Sequence, residues 1–143
     1  MANASITDWF AISNLFIRYA TALDRCDVEA VVGCFSEQGA LESPILGKFT
    51  GPAGVREFAE RTARLKAEHG AQFRHVVSNL QVDVEGDRAR ATCYLLDFVT
   101  RDGATELLSP GEYECELSRA DGEWRFDYRL VRMDRHFVVK DMG

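Results

Sequence analysis

The chain lacks most of the features that would assign it a function quickly. It has no apolar run near the roughly 18 residues needed to span a bilayer, so no membrane helix is expected. Its first residues, Met-Ala-Asn-Ala-Ser, carry neither the basic nor the apolar region of a secretory leader, and a cytoplasmic location is the expectation. Its four cysteines, Cys26, Cys34, Cys93 and Cys115, show no C-x-x-C pair and no zinc-type spacing. They are expected to pack as small apolar side chains, and no metal site is expected. Basic charge is also scarce, with 17 Lys and Arg against 23 Asp and Glu for a net charge of -6, which excludes a nucleic-acid surface. The densest basic stretch, Arg125, Arg129, Arg132 and Arg135, is diluted by Asp127 and Asp134.

What is present suits one domain spanning residues 1–143, with 46% hydrophobic residues available for a core. Residues 5–24 place Ile6, Phe10, Ile17, Ala20 and Asp24 on one stripe at helical spacing, with Ser5 or Thr7 as cap. Trp9, Ile12, Phe16, Tyr19 and Leu23 widen that apolar surface beyond half the circumference. Asp27 caps a shorter helix reaching Phe35, residues 39–50 form a hairpin, and Gly51-Pro52 opens a third helix that ends before Gly70. The period then changes to that of strands, over roughly 72–84, 88–100, 104–118 and 123–139. Glu85-Gly86-Asp87, Arg101-Asp102-Gly103 and Ala120-Asp121-Gly122 are the turns between them. The fold class is therefore α+β: three N-terminal helices packed on a strongly curved, mostly antiparallel sheet, a cone whose mouth admits a small apolar ligand.

Two residues carry the chemistry. Asp24 closes the first helix in line with apolar residues, where the helix dipole disfavours an acid. A carboxylate in such a place needs a partner. His75, in Arg74-His75-Val76-Val77-Ser78-Asn79-Leu80, supplies the imidazole best suited to moving protons near neutral pH. Asn79 shares the His75 face if no bulge intervenes. Tyr19 either fills core or lines a pocket. Arg129 either reaches the pocket or pairs with Asp97, Glu112 or Glu114. His69 and His136 are expected to be solvated, and Trp9 and Trp124 to pack in a core or interface.

The motifs resemble a known superfamily. Arg18-Tyr19-Ala20-x-Ala22-Leu23-Asp24-x-x-Asp27 followed by Phe35 is similar to the first helix pair of nuclear-transport-factor-2-like proteins, and Gly51-Pro52-x-Gly54-Val55 to the start of their third helix. Arg74-His75-x-x-x-Asn79 and Asp121-Gly122-x-Trp124-Arg125-Phe126-x-x-Arg129 resemble strands of the SnoaL-like branch. Within it the chain most resembles the scytalone dehydratase, hexachlorocyclohexane dehydrochlorinase and bile-acid 7α-dehydratase group, which uses an Asp-His dyad. The resemblance implies Asp24 and His75 as catalytic dyad, with Tyr19 matching a tyrosine five residues before the Asp and Arg129 matching an arginine after the tryptophan motif. Two departures narrow it. Ser43 stands in Glu42-Ser43-Pro44 where ketosteroid isomerases carry an Asp base, and the second strand histidine of scytalone dehydratase has no counterpart between His75 and His136.

The resulting expectation is a lyase without cofactor, dehydrating or dehydrohalogenating a small cyclic hydrophobic molecule. Asp24 orients His75 as general base, while Tyr19, Arg129 and Asn79 bind substrate. A proton-transfer isomerase or cyclase on a polyketide- or steroid-like substrate, a non-catalytic ligand-binding module, and an assembly subunit are the alternatives. Self-association into a dimer or trimer is expected, because one helix layer covers only one face of the sheet.

Overall fold

The computed structural model describes residues 4–135. Three helices are found among the described residues, α1 (Ile6–Asp24), α2 (Val28–Gly33) and α3 (Gly51–His69), with a two-stranded hairpin between the second and the third. The strands are β1 (Phe35–Ser43), β2 (Gly47–Thr50), β3 (Gln72–Glu85), β4 (Arg88–Arg101), β5 (Ala104–Ala120) and β6 (Glu123–Met133). They form one curved sheet in the order β2-β1-β6-β5-β4-β3, antiparallel except where β1 runs parallel to β6. The helices cover its concave face. His136, and the part of the last strand expected beyond residue 135, lie outside the described residues.

Local chemistry sets the helix ends. The Ser5 hydroxyl accepts from the Asp8 amide at 3.1 Å, and Asp8 itself suits the positive first turn of α1. Asp27 caps α2 through the Ala30 amide at 3.2 Å. Pro52 occupies the first turn of α3, where its missing N–H costs nothing, and Gly70 ends the helix at φ 58°, a left-handed turn that glycine adopts freely.

The core is built from one side of α1 against the inner row of the sheet. Ile12, Leu15, Phe16, Tyr19 and Leu23 are buried with Leu95, Cys115, Leu117 and Phe126. The stripe expected through Ile6, Phe10 and Ile17 turns outward instead, at 89%, 63% and 52% exposure. A helix that is apolar around most of its girth does not reveal by period alone which side meets the sheet. Trp9 shares that outer side, whereas Trp124 is buried and its ring Nε1–H donates to Asp8 at 3.4 Å. Cys34, Cys93 and Cys115 are buried as expected, but Cys26, at φ 60° just past α1, is only half-buried.

One irregularity in β3 governs the site. Gln81 pairs with Thr92 below the turn, and an unbroken register would bring Phe98 opposite His75. A bulge between Ser78 and Gln81 shifts the ladder by one residue, so that His75 faces Asp97. Asn79 lies in that bulge at φ 56° and is exposed, which corrects its expected place beside His75 on the inner face. Asparagine tolerates this left-handed conformation better than other non-glycine residues. Replacement Asn79→Gly should therefore retain stability, while Asn79→Val should cost about 1–2 kcal/mol, read from denaturant midpoints. Equal stability of the two variants would show that the bulge does not depend on residue 79.

Candidate active site

Asp24 is the last residue of α1 and is 7% exposed. The last turn of α1 contains no basic residue to offset the helix dipole. Other elements make good that lack. Lys66 Nζ of α3 and Gln72 Nε2 of β3 both donate to the Asp24 main-chain carbonyl, at 2.8 and 3.0 Å. They satisfy a helix-terminal acceptor and bring a positive charge to the negative end of the dipole.

The Asp24 carboxylate grips His75 twice. Its Oδ1 lies 2.5 Å from His75 Nδ1, and its Oδ2 accepts the His75 backbone N–H at 3.0 Å. Two contacts to one residue fix both the strand and the ring. With Nδ1 held by the carboxylate, the lone pair of a neutral imidazole lies on Nε2. That nitrogen points towards Asp97 Oδ1 at 3.6 Å, and this oxygen is buried with no hydrogen-bond partner among the described residues. Both groups are open to the same space.

That space is a cavity of about 570 Å³, within the size range of small-molecule sites. His75, Asp97, Tyr19 and Tyr113 supply its inner polar groups, and Leu23, Phe58, Leu65, Phe73, Leu95 and Leu108 supply much of its apolar wall. A second hollow, of about 460 Å³, is bordered by Asp83, Glu85, Arg88 and Glu116 and contains none of the residues singled out by sequence. No three His, Cys, Asp or Glu side chains among the described residues converge as metal ligands. No helix among them is long and apolar enough to cross a membrane.

Arg129 is placed differently from both expectations. It is fully buried and does not reach the cavity wall, and no ion pair joins it to Asp97, Glu112 or Glu114. Glu114 instead pairs with Arg132 at 3.0 Å, on the outer face of the sheet. The Arg129 guanidinium carbon lies 3.7, 4.0, 4.6 and 5.0 Å from the ring centres of Tyr113, Tyr19, Phe126 and Phe16. Nη1 donates to Cys115 Sγ at 3.5 Å, while Nε and Nη2 find no partner among the described residues. Burying an unpaired cation is costly. Four aromatic faces, each worth up to about 2 kcal/mol when desolvated, offset part of that cost. The two tyrosines that line the cavity are thus backed by a fixed positive charge.

Sequence reading missed Asp97 as a cavity residue and Tyr113 altogether. Tyr113 was accessible from alternation, since it shares the inner row of β5 with Cys115 and Leu117. Asp97 was accessible in the same way, in phase with Cys93 and Leu95 on β4, and what the β3 bulge hid is that it faces His75. His69 is half-buried rather than solvated.

Burial sets the electrostatics. At His75 desolvation disfavours the imidazolium, but the Asp24 hydrogen bond and the charges of Asp97 and Asp24 together outweigh it and raise the pKa above 6.5. Desolvation raises Asp97 above 3.8, opposed by the His75 charge. Burial pushes Tyr19 up to about 12 despite the Arg129 charge, so its phenol stays a hydrogen-bond donor at neutral pH.

Comparison with known proteins agrees with this architecture. A family model described as SnoaL-like domain matches residues 4–130. A protein of unknown function from Mycobacterium tuberculosis superposes with a TM-score of 0.82 at 31% identity, covering 94% of this chain and 75% of its own. A cystatin-like-fold protein from Nostoc punctiforme superposes at 0.79 with 22% identity, covering 96% and 98%. A scytalone-dehydratase-like protein from Novosphingobium aromaticivorans superposes at 0.77 with 20% identity, covering 93% and 91%. No curated protein matches the chain.

The raised values predict how stability depends on pH. A histidine whose folded pKa exceeds its unfolded value stabilises the fold below 6.5 and loses that contribution as pH rises through the folded value. Asp97, raised above 3.8, acts in the same direction at lower pH, because its neutral form is the one burial favours. Relative to the parent, His75→Gln should flatten the decline above pH 6.5 and Asp97→Asn the decline above 3.8, by chemical denaturation across pH. Parallel curves for the parent and His75→Gln would contradict the raised imidazole pKa.

Proposed function

The chain belongs to the SnoaL-like domain family, and on that footing we propose that it is a cofactor-independent lyase that dehydrates a small cyclic hydrophobic molecule. The observation that carries this reading is the Asp24–His75 contact of 2.5 Å at the wall of an apolar cavity. In the proposed reaction, neutral His75 removes a carbon-bound proton through Nε2, and Asp24 stabilises the imidazolium that forms.

Dehydration ranks ahead of dehydrohalogenation for a physical reason. Hydroxide is a poor leaving group and needs a proton, whereas a halide leaves without one. The His75 imidazolium formed when the base takes the carbon-bound proton is suited to give that proton, and the Asp97 carboxylate 3.6 Å from its Nε2 favours the charged ring. The carbon–hydrogen bond breaks towards His75, its electrons form the double bond, the carbon–oxygen bond breaks, and the hydroxyl leaves as water with the proton that His75 took from carbon. Because one imidazole serves first as base and then as acid, the proton and the hydroxyl depart from the same face of the ring. Tyr19 and Tyr113 donate to oxygen where negative charge develops, with the Arg129 cation behind them. Arg129 acts through the tyrosines in this scheme and does not touch substrate.

Self-association belongs to the same proposal. Ile6, Phe10 and Ile17 form an exposed apolar row on α1 beside Trp9, which is a candidate surface for a second copy.

Substituting His75→Ala should lower kcat by about 10²–10⁴ without unfolding the protein. Tyr19→Phe should lower it by about 10² with little change in KM. For the parent, kcat/KM should rise with pH through an apparent value above 6.5, as the imidazole loses its proton. Full activity in His75→Ala would remove the assignment.

A further inference from the structure

The mouth of the cavity carries charge that the elimination does not use. Arg61 and Arg64 of α3 both line it, and both are exposed. Neither makes an ion pair or hydrogen bond among the described residues. The helix offers partners at the usual spacing of four residues: Glu57 for Arg61, and Glu60 and Glu68 for Arg64. None of these pairs forms. Arg56 on the same helix behaves otherwise, gripping Glu29 with two hydrogen bonds of 3.0 Å.

We propose that the cavity takes a cyclic molecule bearing an anionic group, such as a carboxylate or sulfonate, which Arg61 and Arg64 hold at the mouth while the apolar body enters the cone. This rests on the reading of the cavity as a substrate site and adds the charge of the substrate and its position. Arginine suits the task because its planar fork presents paired donors to an oxyanion. The side of the cavity around His75 repels an anion, since Asp24 and Asp97 lie there. Glu68 also lines the wall and confines the positive edge to the earlier turns of α3.

Helix geometry places the two arginines. Lys66 reaches the Asp24 carbonyl, so α3 touches the end of α1 that carries the dyad acid. At 1.5 Å per residue, Arg64 lies about 3 Å and Arg61 about 7.5 Å along the helix axis from position 66. The anionic group, held at the mouth, serves orientation.

Two fluorescent dyes separate charge from shape: 8-anilinonaphthalene-1-sulfonate, and N-phenyl-1-naphthylamine, which has the same rings without the sulfonate. The parent should bind the sulfonate more tightly, and added salt should weaken that preference. The double variant R61Q/R64Q keeps good helix formers at exposed sites and should fold normally. It should weaken sulfonate binding by about 10-fold and leave the neutral dye within about 2-fold, if one oriented contact is lost. Dye on the exposed apolar row of α1 would not respond to these changes. Equal affinities for the two dyes, an unchanged sulfonate affinity in the variant, or no sulfonate binding below about 1 mM would each overturn the proposal. The readout is binding alone, so it stands or falls apart from the His75→Ala assay.

Discussion

The Asp24 carboxylate is the contact on which the rest of the site depends. It joins the end of α1 to both the main chain and the ring of His75, and thereby ties the helix layer to β3. An acid at a helix C-terminus is unfavourable taken alone. Lys66 and Gln72 remove that penalty by donating to the Asp24 carbonyl, so the turn holding the carboxylate is itself held from two further elements. Orientation of the imidazole is then a property of the fold, reached through three elements, and not of one hydrogen bond. Such support is what a proton-transfer group requires if its geometry is to be fixed before substrate arrives.

A second constraint lies behind the cavity. Arg129 brings a permanent charge into the core and is met by four aromatic rings and a thiol instead of a carboxylate. A carboxylate there would neutralise its field. Aromatic faces leave the field largely intact, directed through Tyr19 and Tyr113 into the space where the proposed reaction builds negative charge. The inner end of the cavity is therefore uneven: carboxylates flank the base on one side, and phenols backed by a cation form the other.

Much of this was legible in the sequence because local signals agreed. Ser5, Asp27, Pro52 and Gly70 mark helix ends with chemistry that needs no tertiary context, and the three Gly-containing turns set the order of the long strands. Membership in the SnoaL-like family and the α+β architecture followed from motifs spread along the chain. The failures came from tertiary choices. Which side of α1 met the sheet was not encoded in its period, because Ile6, Phe10 and Ile17 are as apolar as the residues that were buried. Asn79 was placed on the wrong face because a bulge reverses alternation, and the same bulge concealed that Asp97 stands opposite His75. Arg129 was expected to seek a carboxylate, and only the packed structure reveals its aromatic surroundings.

The central claim is that Asp24 holds the Nδ1 proton of His75 and leaves Nε2 basic, and nitrogen-15 NMR of the labelled histidine tests it most directly. The account predicts the Nδ1–H tautomer for His75 at alkaline pH, a titration midpoint above 6.5, and a fall in that midpoint on Asp24→Asn substitution. An Nε2–H tautomer, or a midpoint at or below 6.5 that Asp24→Asn leaves unmoved, would contradict it.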